Sequence, residues 1–480
     1  MTRTARPHLM TRTPAILLIG LVIVMTPLAR AERLAPELQT RLDAAAPDER
    51  IPVIVRFAER ADLAGAKALA RRDRRTRVAT MLRAQSAESR RAVEALLREK
   101  GAAPVVPLWI INGLAVTAPA DAIRALAQRP EVESVRLDVT LTAPPAPDVI
   151  VPAAAEWNIN AIRAAELWDR GIKGQGVVVA NLDTGVDVLH PDLAGRWRGG
   201  TNSWFDPFGQ HATPYDKSQP VYSGHGTGTM GVMLGGDADG TTIGVAPAAQ
   251  WIAAKLYDDA GYTSFGVIHQ AFQWFLDPDG MPATDDAPDV VNNSWGFSDT
   301  PNECLTEFAG DILALRAADI AVVCAAGNAG PALSTSLSPG NLPGSLAVGA
   351  LSQSLAIDLS SSRGPSACDR SIYPALAAPG VAIRTTDLTF GGVVPLSYQT
   401  ASGTSFAAAH VSGALALLRS AFPGRPIEDL EFALMFKAAD LGAASADNVY
   451  GHGLLDVVAA YQWLDYPPAG VRRRAFERYE

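Results

Sequence analysis

VVVANLDTGV, residues 177–186, decides the fold: an apolar run passes through Asn181 and Leu182 and delivers Asp183 into a Thr-Gly turn. A short, continuously apolar segment is how a strand covered on both faces reads. Further runs of the same kind lie at 251–256, 290–293, 320–326 and 346–348, and a helical stretch, 162–170, leads into the first strand at about residue 176. Strands separated by helices argue for parallel βαβ units, and so for a three-layer α/β domain.

Upstream the pattern differs. A strand-like run IPVIVRF at 51–57 precedes a long Ala, Leu and Arg helical region at 63–100, then a strand at 109–119, a helix at 120–129 and a last strand at 132–142. That order describes a small α+β domain of ferredoxin-like type. It ends at Ala143-Pro144-Pro145-Ala146-Pro147, whose prolines favour an extended chain that a protease can reach. At the start, Arg3, Arg6 and Arg12 precede an apolar run at 15–25 and the small-x-small triplet Ala29-Arg30-Ala31, the layout of a signal peptide. The run is well short of the roughly 20 residues that span a bilayer, so secretion, extracellular or periplasmic, is expected without stable membrane association. The expected division is 1–31 signal peptide, 32–147 leading domain and linker, 148–465 main domain and 466–480 a loose tail.

Of the 480 residues 48% are apolar and 19% charged, the balance of a folded globular chain. The formal net charge is -9, although residues 51–100 hold thirteen Lys and Arg against six Asp and Glu. Because the arginines of 71–98 alternate with Ala and Leu at helical spacing, they read as the solvated face of a helix, and no nucleic-acid partner is expected. Cys304, Cys324 and Cys368 fit no CxxC spacing, which excludes zinc and redox motifs. Cys324 sits in an apolar run, leaving Cys304 with Cys368 as the pairing for an oxidising compartment and three unpaired thiols as the alternative.

Reactive groups in open α/β sheets gather past the carboxyl ends of strands. Asp183 sits at such a point. His225 lies in SGHGTGT, 223–229, between glycines that admit close backbone approach. Ser405 lies in SGTSFAAAHVSGALALL, 402–418, where a Gly-rich turn enters a long apolar helix whose free N–H groups favour a forming oxyanion. Asn328 ends a strand in AAGNAGP and offers a carboxamide donor. Each residue has a plain structural use as turn or cap. Together they supply a nucleophile, its base, an orienting anion and an oxyanion donor, once each. An aspartic protease would need a second DTG or DSG, and none occurs. An esterase would need a G-x-S-x-G elbow, but the block reads G-T-S-F-A and His410 follows too closely to reach back. A binding protein on a dead protease fold would not need all three residues.

These blocks, in the order Asp, His, Asn, Ser, resemble the signatures of the subtilisin (S8) family. The similarity runs over about residues 155–465 and includes His190-Pro191-Asp192-Leu193, Gly244-Val245-Ala246-Pro247, Asn293-Ser294-Trp295-Gly296, Ala378-Pro379-Gly380 and Tyr450-Gly451-His452-Gly453-Leu454. The wording around Asn293 and His225 resembles the bacillopeptidase F subgroup. The resemblance implies a subtilisin-like serine endopeptidase acting on protein or peptide substrates, with Asp183, His225 and Ser405 as catalytic triad and Asn328 in the oxyanion hole. It further implies substrate strands beside Ser294, Trp295, Gly296 and Ala325, Ala326, Gly327. Residues 50–143 resemble the inhibitor (I9) type of propeptide, a chaperone and inhibitor that self-cleavage near 142–147 would release from the zymogen. No cofactor is implied for the chemistry; structural calcium is, with Asp192 and the loop bearing Asp237 and Asp239 as candidates, though acidic loops are usually only solvated. The chain departs from the family pattern at Gly228, where many relatives carry a second His, and at Phe406 and Ala409 in place of Met and Pro.

Overall fold

The computed structural model describes Met1 and residues 33–46, 49–102, 104–142, 156–217 and 224–466. The expected signal peptide at 1–31 apart from Met1, the expected linker at 143–147 with its cleavage region, and the expected tail beyond Tyr466 lie outside the described residues.

The N-terminal unit comprises α1 (Pro36–Asp43), β1 (Arg50–Phe57), α2 (Arg71–Glu99), β2 (Val105–Leu108), β3 (Gly113–Pro119), α3 (Ala120–Ala127) and β4 (Val132–Leu137). Its four strands pair antiparallel in the order β2-β3-β1-β4. Alternation along β1 divides the packing: Val53, Val55 and Phe57 join the unit's own core, while Ile54 points into the core shared with the rest of the chain. The strand expected at 109–119 is interrupted. Trp109–Ile111 forms a 3-10 turn, and Asn112 takes a left-handed conformation at φ 49° before β3 begins. The strand expected at 132–142 also divides, into β4 and β5 (Thr140–Thr142), which leaves the small sheet altogether.

Beyond 155 follow α4 (Trp157–Ala161), α5 (Ala164–Trp168), β6 (Val178–Asp183), α6 (Pro191–Ala194), β7 (Trp204–Phe205), α7 (His225–Leu234), β8 (Gln250–Lys255), β9 (Tyr262–Ser264), α8 (Phe265–Leu276) and β10 (Val290–Asn293). The chain continues through α9 (Ala309–Ala317), β11 (Ala321–Ala325), β12 (Leu346–Leu351), β13 (Leu376–Pro379), β14 (Ile383–Thr386), β15 (Tyr398–Ala401), α10 (Thr404–Ala421), α11 (Ile427–Phe436) and α12 (Val457–Asp465). Seven strands form a parallel sheet in the order β13-β12-β11-β10-β6-β8-β7. The two faces feed two cores: Ala321 and Val323 of β11 pack with α7 and α10, Val322 and Cys324 with α8 and α9. Burial on both sides explains the unbroken apolar runs. Helix α10 is buried from Thr404 to Arg419, as a helix apolar on all sides must be. Cys304 and Cys368 are joined in a disulfide, while Cys324 stays a free core thiol that burial pushes up to about 12. Among the described residues no helix is long and apolar enough to cross a membrane.

One expectation holds only in part. Arg72, Arg77, Arg91 and Arg98 of α2 are exposed, but Arg74 and Arg75 are buried, where the helix lies against α9 and the loop after α8. Arg75 pairs with Asp285 at 2.9 Å and donates to the carbonyls of Ala287 and Pro288. Arg71 pairs with Asp289, and Arg74 stands near Asp319 and Glu428 at 3.5 and 3.4 Å. From β1 and β4, Arg56 and Arg136 both reach Glu307. The second attachment is a strand pair, in which β5 runs antiparallel to β9, Thr140 opposite Ser264 and Thr142 opposite Tyr262. Each acidic partner named here lies more than 150 residues further along the chain, so helical periodicity alone could not reveal it.

Removing one member of a buried, hydrogen-bonded ion pair strands the other and typically costs about 3–5 kcal/mol. Arg75→Ala is therefore expected to lower the stability of the full-length chain by about that much in a denaturant titration. Arg77→Ala, at an exposed position on the same helix, should shift it by no more than about 0.5 kcal/mol.

Candidate active site

The parallel sheet ends its central strands at one edge, and the site is built there. Strand β6 delivers Asp183, and the turn after β10 delivers Ser294, Trp295 and Gly296. Strand β11 ends at Ala325, three residues before Asn328, and α10 starts one residue before Ser405. A cleft of about 460 Å³ is lined by Asp183, His225, Ser294, Gly327, Asn328 and Ser405 among others.

His225 is the first residue of α7, although its Gly-rich sequence reads as a turn. The glycines serve approach instead of flexibility. A Cβ on Gly226 would lie 2.1 Å from the carbonyl oxygen of Gly185, and one on Gly231 would lie 2.3 Å from the Thr386 hydroxyl. Only glycine lets α7 settle close enough for His225 Nδ1 to stand 2.7 Å from Asp183 Oδ1. That same oxygen accepts from the Thr184 N–H at 2.7 Å, which fixes the carboxylate plane. Burial disfavours an imidazolium here, but the charge and hydrogen bond of Asp183, aided by Asp216, outweigh it and raise the pKa of His225 above its ordinary 6.5. Asp216 is itself buried, which pushes its carboxyl up to about 6, and it accepts from the Thr227 N–H and hydroxyl.

Ser405 is nearly buried, and its Oγ donates to the Ser294 carbonyl at 3.2 Å. The link is reciprocal, since the Ser294 hydroxyl donates to the Ser405 carbonyl at 2.9 Å. From Ser294 a buried polar chain crosses the sheet: Asn292 donates to Ser294 Oγ and to Asn181 Oδ1, and Asn181 donates to the Gly226 carbonyl and the Thr229 hydroxyl. Ser412 of α10 closes the chain on Asn292. The serine helix and the histidine helix are thereby held in one hydrogen-bonded frame. Asn328 Oδ1 accepts from the Thr404 N–H and hydroxyl, at 3.1 and 2.9 Å. With its oxygen engaged, its NH2 is left for the cleft.

Of the six residues expected to flank a substrate, Ser294, Trp295, Gly296, Ala325 and Gly327 line the cleft. Ala326 is not among them; strand alternation turns it inward, where its carbonyl accepts from the Tyr373 hydroxyl at 2.6 Å. Sequence reasoning missed Asp216, Thr184, Tyr257, Leu337 and the Asn181–Asn292 bridge. Buried asparagines within strands β6 and β10, Asn181 and Asn292, were the available signal, since a buried amide needs partners.

Asp192 accepts from the Tyr398 hydroxyl at 2.7 Å and the Ala238 N–H at 2.8 Å, and Asp239 pairs with Arg384. Arg384 also reaches Glu156 at 3.1 Å and covers the Tyr398 ring at 4.3 Å. Of the three expected calcium carboxylates, Asp239 is thus ion-paired with Arg384, and Asp237 joins no cluster of three or more acidic, His or Cys ligands among the described residues.

The subtilase family model matches residues 174–453, more than half of the chain. The chain belongs to the subtilase family. As a subtilase it falls in the class of serine-type endopeptidases. Bacillopeptidase F of Bacillus subtilis (strain 168) is 33% identical over 457 residues, 87% of this chain but 30% of that protein, so the chain spans under a third of that relative's length. Subtilisin E of the same organism is 31% identical over 76% of this chain and 85% of its own, and the major intracellular serine protease 33% over 63% and 87%. At two of the positions that depart from the family pattern, a Cβ on Gly228 would lie 2.9 Å from Gln399 Nε2 and 3.2 Å from Thr385 Cγ2, and the Phe406 ring meets His225 edge-on with centroids 5.8 Å apart.

Catalysis by a neutral imidazole is lost as pH falls through the pKa of His225. The acid limb of kcat/KM is therefore expected to have its midpoint above 6.5, and a pH-rate profile with its midpoint at or below that value would contradict the raised pKa. Gly226→Ala is expected to cost about 10²-fold in kcat/KM by lifting the imidazole off Asp183, measured on a peptide substrate.

Proposed function

We propose that this chain is an exported endopeptidase made as a zymogen, which cleaves protein and peptide substrates through Asp183, His225 and Ser405. The observation that carries the reading is the 2.7 Å Asp183–His225 contact in a cleft that Ser405 and Asn328 also line. Ser405 turns its hydroxyl from the Ser294 carbonyl to His225 Nε2 and attacks the scissile carbonyl carbon. The proton passes to His225, whose imidazolium Asp183 stabilises without taking the proton itself. Negative charge gathers on the carbonyl oxygen, where the NH2 of Asn328 and the free N–H groups at the start of α10 receive it. Collapse breaks the C–N bond, His225 returns its proton to the leaving amine, and water, activated by the same imidazole, hydrolyses the acyl-enzyme. Substrate lies extended between Ser294 to Gly296 and Ala325 to Gly327, pairing through its backbone. None of these steps needs a cofactor.

In this reading the N-terminal unit is the propeptide, an intramolecular chaperone and inhibitor that ends in the linker at 143–147. Support comes from its two attachments, the arginine contacts of α2 and the β5–β9 pair. Export is supported by the signal-like start and by the Cys304–Cys368 bond, which suits an oxidising compartment.

Wild type is expected to mature to a shorter form, hydrolyse casein and take up a fluorophosphonate label. The Ser405→Ala chain should remain at precursor length, inactive and unlabelled. A wild type that folds but neither cleaves casein nor accepts the label would reduce the chain to a dead protease fold. Asn328→Ala should keep KM nearly constant and lose about 10²–10³ in kcat, the known cost of deleting one such donor in this family.

A further inference from the structure

The helix that carries His225 begins without a cap of its own. Gly224, at the N-cap position of α7, takes a left-handed φ of 72° and has no side chain to receive the first free N–H groups. Two remote side chains do so instead. Thr184, next to Asp183, accepts the Gly226 N–H on its hydroxyl at 3.0 Å. Asp216 Oδ2 accepts the Thr227 N–H at 3.0 Å and the Thr227 hydroxyl at 2.7 Å. Gly185 makes room for that second cap: a Cβ on it would lie 2.0 Å from the Tyr215 carbonyl oxygen and 3.1 Å from Asp216 Cα. A cap needs no charge, since asparagine or serine accepts as well. Asp216 is nevertheless a carboxylic acid, only 4% exposed, although burying a charge is costly. What it adds over a neutral cap is negative charge.

The start of a helix carries about half a positive elementary charge, and a cation in its first turn is disfavoured. His225, the first residue of α7, becomes such a cation whenever it holds the proton of Ser405. We propose that Asp216 is a positioning residue for the triad, which caps α7 where Gly224 cannot and offsets the positive helix end that opposes the imidazolium of His225. The proposal rests on the triad reading above. Burial pushes the Asp216 carboxyl up to about 6, so it is ionised at neutral pH and above, and its charge joins that of Asp183 in raising the pKa of His225. The other charged groups around α7 are engaged elsewhere. On β8, Lys255 donates to the Thr184 carbonyl and pairs with Asp259, which also holds His211 and, through its main-chain carbonyl, Lys217. Asp187 accepts from Thr389, Asp192 of α6 from Tyr398, and Asp387 from the Leu388 N–H. Arg384 of β14 is held by Glu156 and Asp239. Burial lowers the pKa of His190, pushes that of His410 on α10 down to about 4, and raises the Tyr257 hydroxyl well above its ordinary range, so these three are neutral where His225 titrates.

In the full-length Ser405→Ala chain, the Nδ1–H proton resonance of His225 followed against pH reads the imidazole directly and needs no turnover. Asp216→Asn keeps an acceptor for Thr227 and removes the charge; it should lower the midpoint by about half a pH unit or more, with far-UV circular dichroism unchanged. Asp216→Ser, a smaller neutral residue, should move it the same way. In the active enzyme Asp216→Asn should shift the acid limb of kcat/KM downwards to match and lower the plateau kcat by about threefold at constant KM, because half a pKa unit is about threefold in a step that forms the imidazolium. A midpoint that stays or rises in a folded neutral variant would overturn the proposal. So would a loss of kcat with an unmoved midpoint, the result of a cap that acts by structure alone. The chain with Asp216 intact gives a reading that misfolding of a variant does not touch: its His225 resonance should show a second inflection at or below about pH 6, as Asp216 takes up its proton, and a single inflection would count against the proposal. Because the resonance is read without catalysis, failure here is distinct from failure of the chain to cleave casein.

Discussion

An imidazole and a carboxylate held 2.7 Å apart, almost out of water, form the contact on which the rest of the molecule depends. Such a pair is stable only if each member is fixed from behind, because a half-satisfied buried charge costs more than its partner returns. The fixing comes from the parallel sheet. Strand β6 holds Asp183 in line, α7 is drawn against it by residues without side chains, and the bridge through Asn181, Asn292 and Ser294 ties the helix of Ser405 to the same frame. Two helices and two strands, remote in sequence, therefore cannot shift independently without breaking a hydrogen bond in the interior.

How much of this could be read in advance follows from which signals are local. The buried strands were legible because covering on both faces leaves an unbroken apolar run: 290–293 coincides with β10, and 320–326 brackets β11. Short elements whose pairing is decided by distant partners were not legible; β7, β13, β14 and β15 carry no run long enough to stand out. Helix α7 was hidden by its own glycines, since propensity argues against a helix that only close packing requires. The expected helix at 162–170 shrinks to Ala164–Trp168, preceded by a separate turn of helix at Trp157–Ala161.

The site divides in the same way. Asp183, His225, Ser405 and Asn328 each sit in a block that alone reads as well as a turn or a cap; the four together carried the reading, and all four line one cleft. What supports them was silent in the sequence. Asp216 stands in a segment without motif, and Ala326, close to Asn328 in sequence, is buried and does not line the cleft. The basic helix misled for a related reason. Periodicity locates the face of α2 that is polar, but it cannot say whether water or a set of carboxylates lies opposite.

The spread of those carboxylates along the chain has a temporal side. Arg75 finds its partner 210 residues downstream, and Arg74 reaches Glu428, 354 residues away. During synthesis α2 emerges early, yet the surface that it grips is still unwritten until nearly nine tenths of the polypeptide has been made. The grip thus tests for completeness: a prematurely terminated product lacks part of the acidic counterface and cannot hold the leading segment with its full set of contacts.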